Sequence, residues 1–131
     1  VFATLHTNSA VEAVDRLVGA FPPYQQPQIR LELSLCLQAV AAQQLLPSAK
    51  GRGREAACEV MMVTPAIRNL IREGKTPQIF SAMLSGGAAG SITMDNCLLG
   101  MVREGRISSR IALEAGSDRE YLGKMLREGR D

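Results

Sequence analysis

Val1-Phe2-Ala3-Thr4-Leu5-His6-Thr7-Asn8-Ser9-Ala10 is the stretch whose reading decides the fold class. Val, Phe, Thr and Leu fill a pleated surface well, and an unbroken apolar run suits a strand buried in a parallel sheet. Asn8 or Ser9 then offers a short oxygen-bearing side chain to the first N–H groups of a helix. Val11, Val14, Leu17 and Val18 give that helix an apolar stripe at i, i+3, i+4 spacing, with Glu12, Asp15 and Arg16 off the stripe. Phe21-Pro22-Pro23-Tyr24 ends it. A buried strand feeding an amphipathic helix predicts an α/β fold. The apolar start lacks an initiator Met and the basic-then-apolar order of a signal peptide. It reads as a piece of a longer protein.

Working outward, Arg30-Leu31-Glu32-Leu33-Ser34-Leu35 alternates like a strand, but its Leu- and Ala-rich continuation favours a helix from Pro27 to about Ala42. Leu45-Leu46 and Ala56–Val63 read as two strands joined by Lys50-Gly51-Arg52-Gly53-Arg54, a basic hairpin loop. From Thr64 the pattern is helical. Thr64-Pro65 pairs an N-cap with a proline at the first helical position, and Gly74 closes the helix in the left-handed conformation. A short helix follows over Pro77–Leu84, with Gly86-Gly87-Ala88-Ala89-Gly90 as an interhelical loop. Thr93 caps a third helix, Ser108 or Ser109 starts a fourth, and Ser117 with Glu120 forms a capping box for the last. Arg-Glu-Gly at 72–74, 103–105 and 127–129 reads as one helix ending used three times.

Composition excludes several classes of function. Of 131 residues, 46% are hydrophobic and 21% charged, so the chain is not disordered. A net charge of +2 and five aromatics, none of them Trp, argue against nucleic acid as a partner. Cys36, Cys58 and Cys97 have neither disulfide nor zinc spacing and read as reduced core residues. No transmembrane segment is visible. A single histidine excludes His-cluster metal sites, and no metal ligand is expected in these residues. Neither a Gly-x-x-x-x-Gly-Lys-Ser/Thr loop nor Gly-x-Gly-x-x-Gly occurs in these residues. What remains is His6 between Thr4 and Thr7, where a strand ends and a helix begins, a position that in open α/β sheets lines the ligand crevice.

These residues carry a resemblance. Val1–Ala10 resembles the "His box" of the type II/type IV secretion ATPases, a P-loop superfamily with RecA-like cores. Leu37-Gln38-Ala39-Val40, Gln43, Leu45-Leu46, Gly53-Arg54 and Glu59-Val60-Met61 follow the same family. Ala66-Ile67-Arg68-Asn69-Leu70-Ile71-Arg72-Glu73 resembles the signature of its pilus-retraction, twitching-motility branch, and Thr93-Met94-Asp95 before a helix agrees. The resemblance runs from Val1 to roughly Ala115.

The resemblance implies a fold class of α/β, the C-terminal portion of a RecA-like P-loop ATPase core (residues 1–63) followed by a helical C-terminal subdomain (residues 64–131). It implies nucleotide sensing by His6, Thr4 and Thr7. Motor output or partner contact falls to Ala66, Ile67, Arg68, Asn69, Leu70, Ile71, Arg72 and Glu73. The paired cations Arg68 and Arg72, placed against local preference, and Asn69 in mid-helix fit that role. The parent would be a cytoplasmic homo-hexamer powering type IV pilus retraction with ATP and Mg²⁺, held peripherally at the inner membrane through a platform protein. The Walker A and Walker B motifs precede the His box in that family, so no catalytic residue is expected in these residues. Neither is tight nucleotide binding or hydrolysis. Two alternatives stand beside it, a secretion or pilus-assembly ATPase of the same superfamily and a non-catalytic helical adaptor.

Overall fold

The structure is a computed structural model describing residues 1–85 and 89–129. The loop reading at Gly86, Gly87 and Ala88 lies outside them. The chain divides into two compact units, Val1–Ala42 with Glu59–Ile92, and Gln43–Cys58 with Thr93–Asp131. A hairpin of β1 (Ala39–Pro47) and β2 (Arg54–Met62) contributes residues to both. Its six-residue connection makes the pair antiparallel. Ser48 N donates to Gly53 O at 3.2 Å and Val63 N to Gln38 O at 2.9 Å, so one register runs from tip to base. Gly51 and Gly53, with φ of 75° and 78°, take the left-handed turn positions that a side chain would strain.

The first unit holds α1 (Ala10–Gly19), α2 (Gln26–Cys36), α3 (Pro65–Glu73), a 3-10 turn (Thr76–Gln78) and α4 (Ile79–Ser85). Ala10 and Val14 of α1, Met61 of β2, Ile67 and Ile71 of α3, and Ile79 and Met83 of α4 form its buried core. Helices α1, α3 and α4 turn their i, i+3, i+4 apolar sides inward, whereas α2 buries only Ser34 and leaves Leu31 and Leu35 exposed. Two polar ties cross this core. Ala10 N donates to Glu59 Oε1 at 2.8 Å, and Thr76 Oγ1 donates to Asp15 Oδ1 at 2.7 Å.

The second unit packs α5 (Met94–Arg103), α6 (Ser109–Ala115) and α7 (Arg119–Glu128) with the hairpin tip. Leu98, Met101, Ile107, Ala112 and Leu122 are its buried centre. The buried Asp95 accepts from Ser117 N at 2.8 Å and Asp118 N at 3.1 Å. A Cβ on Gly116 would overlap the Leu122 side chain and press on Asp95, so a side chain there must displace Leu122. Arg106 ties the tip to the helices. Its Nε donates to Glu55 Oε2 at 2.9 Å, and its carbonyl accepts from Ala49 N at 2.8 Å. The hydrogen bond that Arg106 donates to Glu55 holds the guanidinium pKa above its ordinary value.

The structure corrects several expectations. Residues 1–7 carry no regular secondary structure, and Val1 to His6 are exposed. A strand closes none of its own hydrogen bonds, and no strand among the described residues lies beside this one. The helix expected over Pro27–Ala42 ends at Cys36, because Leu37 turns extended (φ −67°, ψ 127°) and Ala39 starts β1. Ladder bonds to β2 override the local helix preference of Ala and Gln. The last helix is capped by Asp118, whose carboxylate accepts from Tyr121 N at 2.9 Å, rather than by Ser117. Gly74 and Gly105 close helices at φ 70°, but Gly129 sits at φ −80°, so the Arg-Glu-Gly ending is used twice, not three times. Cys36 is exposed rather than a core residue, while Cys58 and Cys97 are half-buried and free.

Candidate functional site

The Ala66–Glu73 string occupies α3, which is among the most firmly held elements of the first unit. Thr64 Oγ1 accepts from Ile67 N at 3.3 Å, Pro65 takes the first turn, and Gly74 closes the end. Ile67 and Ile71 are fully buried and Leu70 half-buried, so the helix has one fixed rotation about its axis. Ala66, Asn69, Arg72 and Glu73 consequently face outward.

Arg68 departs from that outward set. It is half-buried, and its Nη1 donates to Ser34 O at 2.7 Å and to Leu35 O at 3.1 Å. These are two of the carbonyls that α2 leaves unpaired at its C-terminus, where the helix dipole also favours a cation. Arg68 thus locks α3 to the end of α2. Arg72 Nη2 donates to Asn69 Oδ1 on the exposed face. Glu73 pairs with Lys75 at 2.9 Å, and that hydrogen bond, then the charge of Lys75, holds its carboxyl below the ordinary 4.5. The like charges at positions 68 and 72 are therefore separated by their partners. One points into the helix junction, the other along the surface.

Arg30 carries no signal in the sequence that singles it out. On α2, its guanidinium lies against Gly74 at the end of α3, 3.5 Å from where a Cβ would stand, and its Nη1 is buried with no hydrogen-bond partner among the described residues. Nothing in the alternating Arg30–Leu35 run distinguishes it. Glu59 enters the sequence reading only as part of a resemblance. It is 5% exposed and holds the start of α1 through Ala10 N. A polar residue breaking the apolar run of β2 was the available signal.

His6, Thr4 and Thr7 precede α1. His6 and Thr4 are exposed, Thr7 is half-buried, and His6 makes no hydrogen bond among the described residues. Ser9 Oγ accepts from Glu12 N at 3.1 Å, and Glu12 Oε2 reaches back to Asn8 N at 3.0 Å, a reciprocal cap. With Glu59 on Ala10 N, two of the first donors of α1, those of Ala10 and Glu12, are taken by a carboxylate and a hydroxyl. The structure does not bring this segment and α3 into one constellation. A shallow depression of about 490 Å³ is lined by Glu12, Asp15, Arg16, Gly19 and Ala20, all from α1 and the residue that ends it. It has the character of a helix flank rather than a cleft with converging groups. No group of three His, Cys, Asp or Glu among the described residues is placed to hold a metal ion. No helix among them is long and apolar enough to cross a membrane.

No protein-family model matches the chain. Over 114 residues, 87% of this chain, it is 49% identical to the type IV pilus retraction ATPase PilT of Pseudomonas aeruginosa, covering 33% of that protein. Over 122 residues, 93% of this chain, it is 43% identical to a twitching motility protein of Neisseria gonorrhoeae, again covering 33%. The crystal structure of the pilus retraction motor PilT with bound ADP superposes with a TM-score of 0.79 at 40% identity, over 92% of this chain and 33% of that one. The ATPase DotB of Legionella pneumophila, at 21% identity, shares the fold alone, with a TM-score of 0.65 over 95% of this chain and 30% of that one. The chain therefore spans about a third of the length of the curated relatives it matches. By sequence and by fold this chain is similar to the pilus-retraction ATPase PilT and to a twitching motility protein over about one third of their length.

Proposed function

We propose that these residues are the C-terminal, sensing and output part of a hexameric ATPase motor that powers type IV pilus retraction. Residues 1–63 form the end of its RecA-like core and residues 64–131 its helical subdomain. The observation that carries the reading is the 49% identity to PilT over 87% of the chain. The fold likeness and the Ala66–Glu73 string on a rigid helix support it. In the parent, His6 with Thr4 and Thr7 senses the nucleotide, and the outward residues Asn69, Arg72 and Glu73 deliver motion to a partner. The motor is cytoplasmic and meets an inner-membrane platform protein.

ATP and Mg²⁺ belong to the full-length parent. Within this chain, two of the first N–H groups of α1, those of Ala10 and Glu12, are already hydrogen-bonded to Glu59 and Ser9. The purified chain is expected to show no ATP hydrolysis. Turnover above background that His6→Ala abolishes would overturn that. In the parent, His6→Ala is expected to stop hydrolysis, and Asn69→Ala with Arg72→Ala to stop retraction while hydrolysis persists. Intact retraction in the latter would exclude the retraction branch in favour of a secretion or assembly motor.

A further inference from the structure

Cys58 on β2 and Cys97 on α5, 39 positions apart, meet inside the second unit. The backbone N–H of Cys58 donates to Cys97 Sγ at 3.4 Å. Since an N–Cα bond is about 1.46 Å, the Cys58 Cα lies within about 4.9 Å of that sulfur. Rotation about χ1 moves only the sulfurs, and the Cys97 sulfur already lies close enough to the Cys58 Cα for the Cys58 Sγ to swing toward it. Both thiols are free and half-buried. Cys97 Sγ also stands 4.0 Å from Met101 Sδ, so its sulfur rests between the Cys58 amide and a thioether rather than in bulk water. Cys36 belongs to the other unit and is exposed, which makes it an internal contrast.

We propose that Cys58 and Cys97 form an oxidisable thiol pair that a peroxide closes into an intramolecular disulfide. One thiolate attacks hydrogen peroxide, breaking the O–O bond to give a sulfenic acid and water. The second thiol attacks the sulfenic sulfur, forming the S–S bond and releasing a second water. Two thiols lose two electrons and two protons in total, and the peroxide is reduced to two waters. The bond clips β2 to α5 and closes a chain loop containing α3 with its Arg68–Glu73 residues. Loop closure restricts the unfolded chain, so the oxidised form melts at a higher temperature.

The test uses the full chain with Cys36→Ser, treated with hydrogen peroxide, quenched with N-ethylmaleimide and read by intact mass and peptide mapping. The expected result is a loss of two hydrogens, no alkylation at either site and a crosslinked Cys58–Cys97 peptide. It should form at least tenfold faster in the folded chain than in urea, and dithiothreitol should return the melting midpoint to its lower value. Mapping the same peptide in the unsubstituted chain gives an independent reading. Two alkylatable thiols after peroxide, or a disulfide forming no faster in the folded chain than in the unfolded one, would overturn the proposal.

Discussion

The Val1–Thr7 segment and α3 both carry the resemblance to the secretion ATPases, α3 with the more discriminating string, yet they behave oppositely in the fold. Helix α3 is capped at both ends, buries Ile67 and Ile71, and is bolted to α2 by Arg68. Residues 1–7 have no regular structure, and Phe2 is fully exposed. A helix closes its own hydrogen bonds and needs a neighbour only for its apolar side, whereas a strand needs a neighbour for its backbone as well. A string that resembles a family therefore reports likeness in both places but local structure in only one. It also splits by role within α3, where the apolar positions build the unit, Arg68 joins two helices, and Asn69, Arg72 and Glu73 face outward for a partner.

The sharpest way to break this contrast is to truncate one apolar residue in each region. Ile71→Ala should cost about 2–5 kcal/mol in urea unfolding, while Phe2→Ala should change stability by less than about 0.5 kcal/mol. A comparable loss in both would mean that Phe2 packs in solution. Next in size, Arg68→Ala should cost about 1–3 kcal/mol, because two carbonyls at the end of α2 lose a charged donor. Arg68→Lys should recover part of that stability, since one ammonium replaces the charge with fewer directed donors. If Arg68→Ala leaves the unfolding midpoint unchanged, the side chain is not a helix-joining residue. Thr64→Ala should cost about 1 kcal/mol through the lost cap, read from the same transition.

The smallest effect is electrostatic. Lys75 depresses the Glu73 pKa in the folded state, so the stabilisation is present above the ordinary 4.5 and is lost as pH falls through the folded value. In Lys75→Gln, NMR titration of the Glu73 carboxyl should show its pKa rising toward 4.5. The stability difference from the unsubstituted chain should vanish at low pH. A Glu73 titration identical in both would show that the pair does not persist on this exposed surface.

Legibility followed the range of the interactions. The Ser9, Thr64, Thr93 and Ser108 caps are legible in the sequence because each acts on an N–H three residues on, and Gly74 because its αL role is equally local. The hairpin is legible from Gly51 and Gly53. Misplacing the end of α2 has a different origin. Ala39–Gln44 has helix-forming composition, and only the ladder with Arg54–Met62 makes it a strand. Asp118 displaces Ser117 as a cap because Asp95, more than twenty positions away, holds the Ser117 and Asp118 amides. Arg30 against Gly74, Glu59 on the start of α1 and Cys58 against Cys97 leave no trace in spacing.

By itself, the sequence determined a resemblance to the secretion ATPases, the helices that close their own bonds, most of their caps and the hairpin turn. Only the tertiary structure decided that residues 1–7 are unpaired, that Ala39 begins a strand and that Arg68 faces inward to α2. The reason is physical. Capping and apolar periodicity act within a few residues, whereas strand pairing, buried carboxylates and guanidinium–carbonyl contacts depend on groups that only folding brings together.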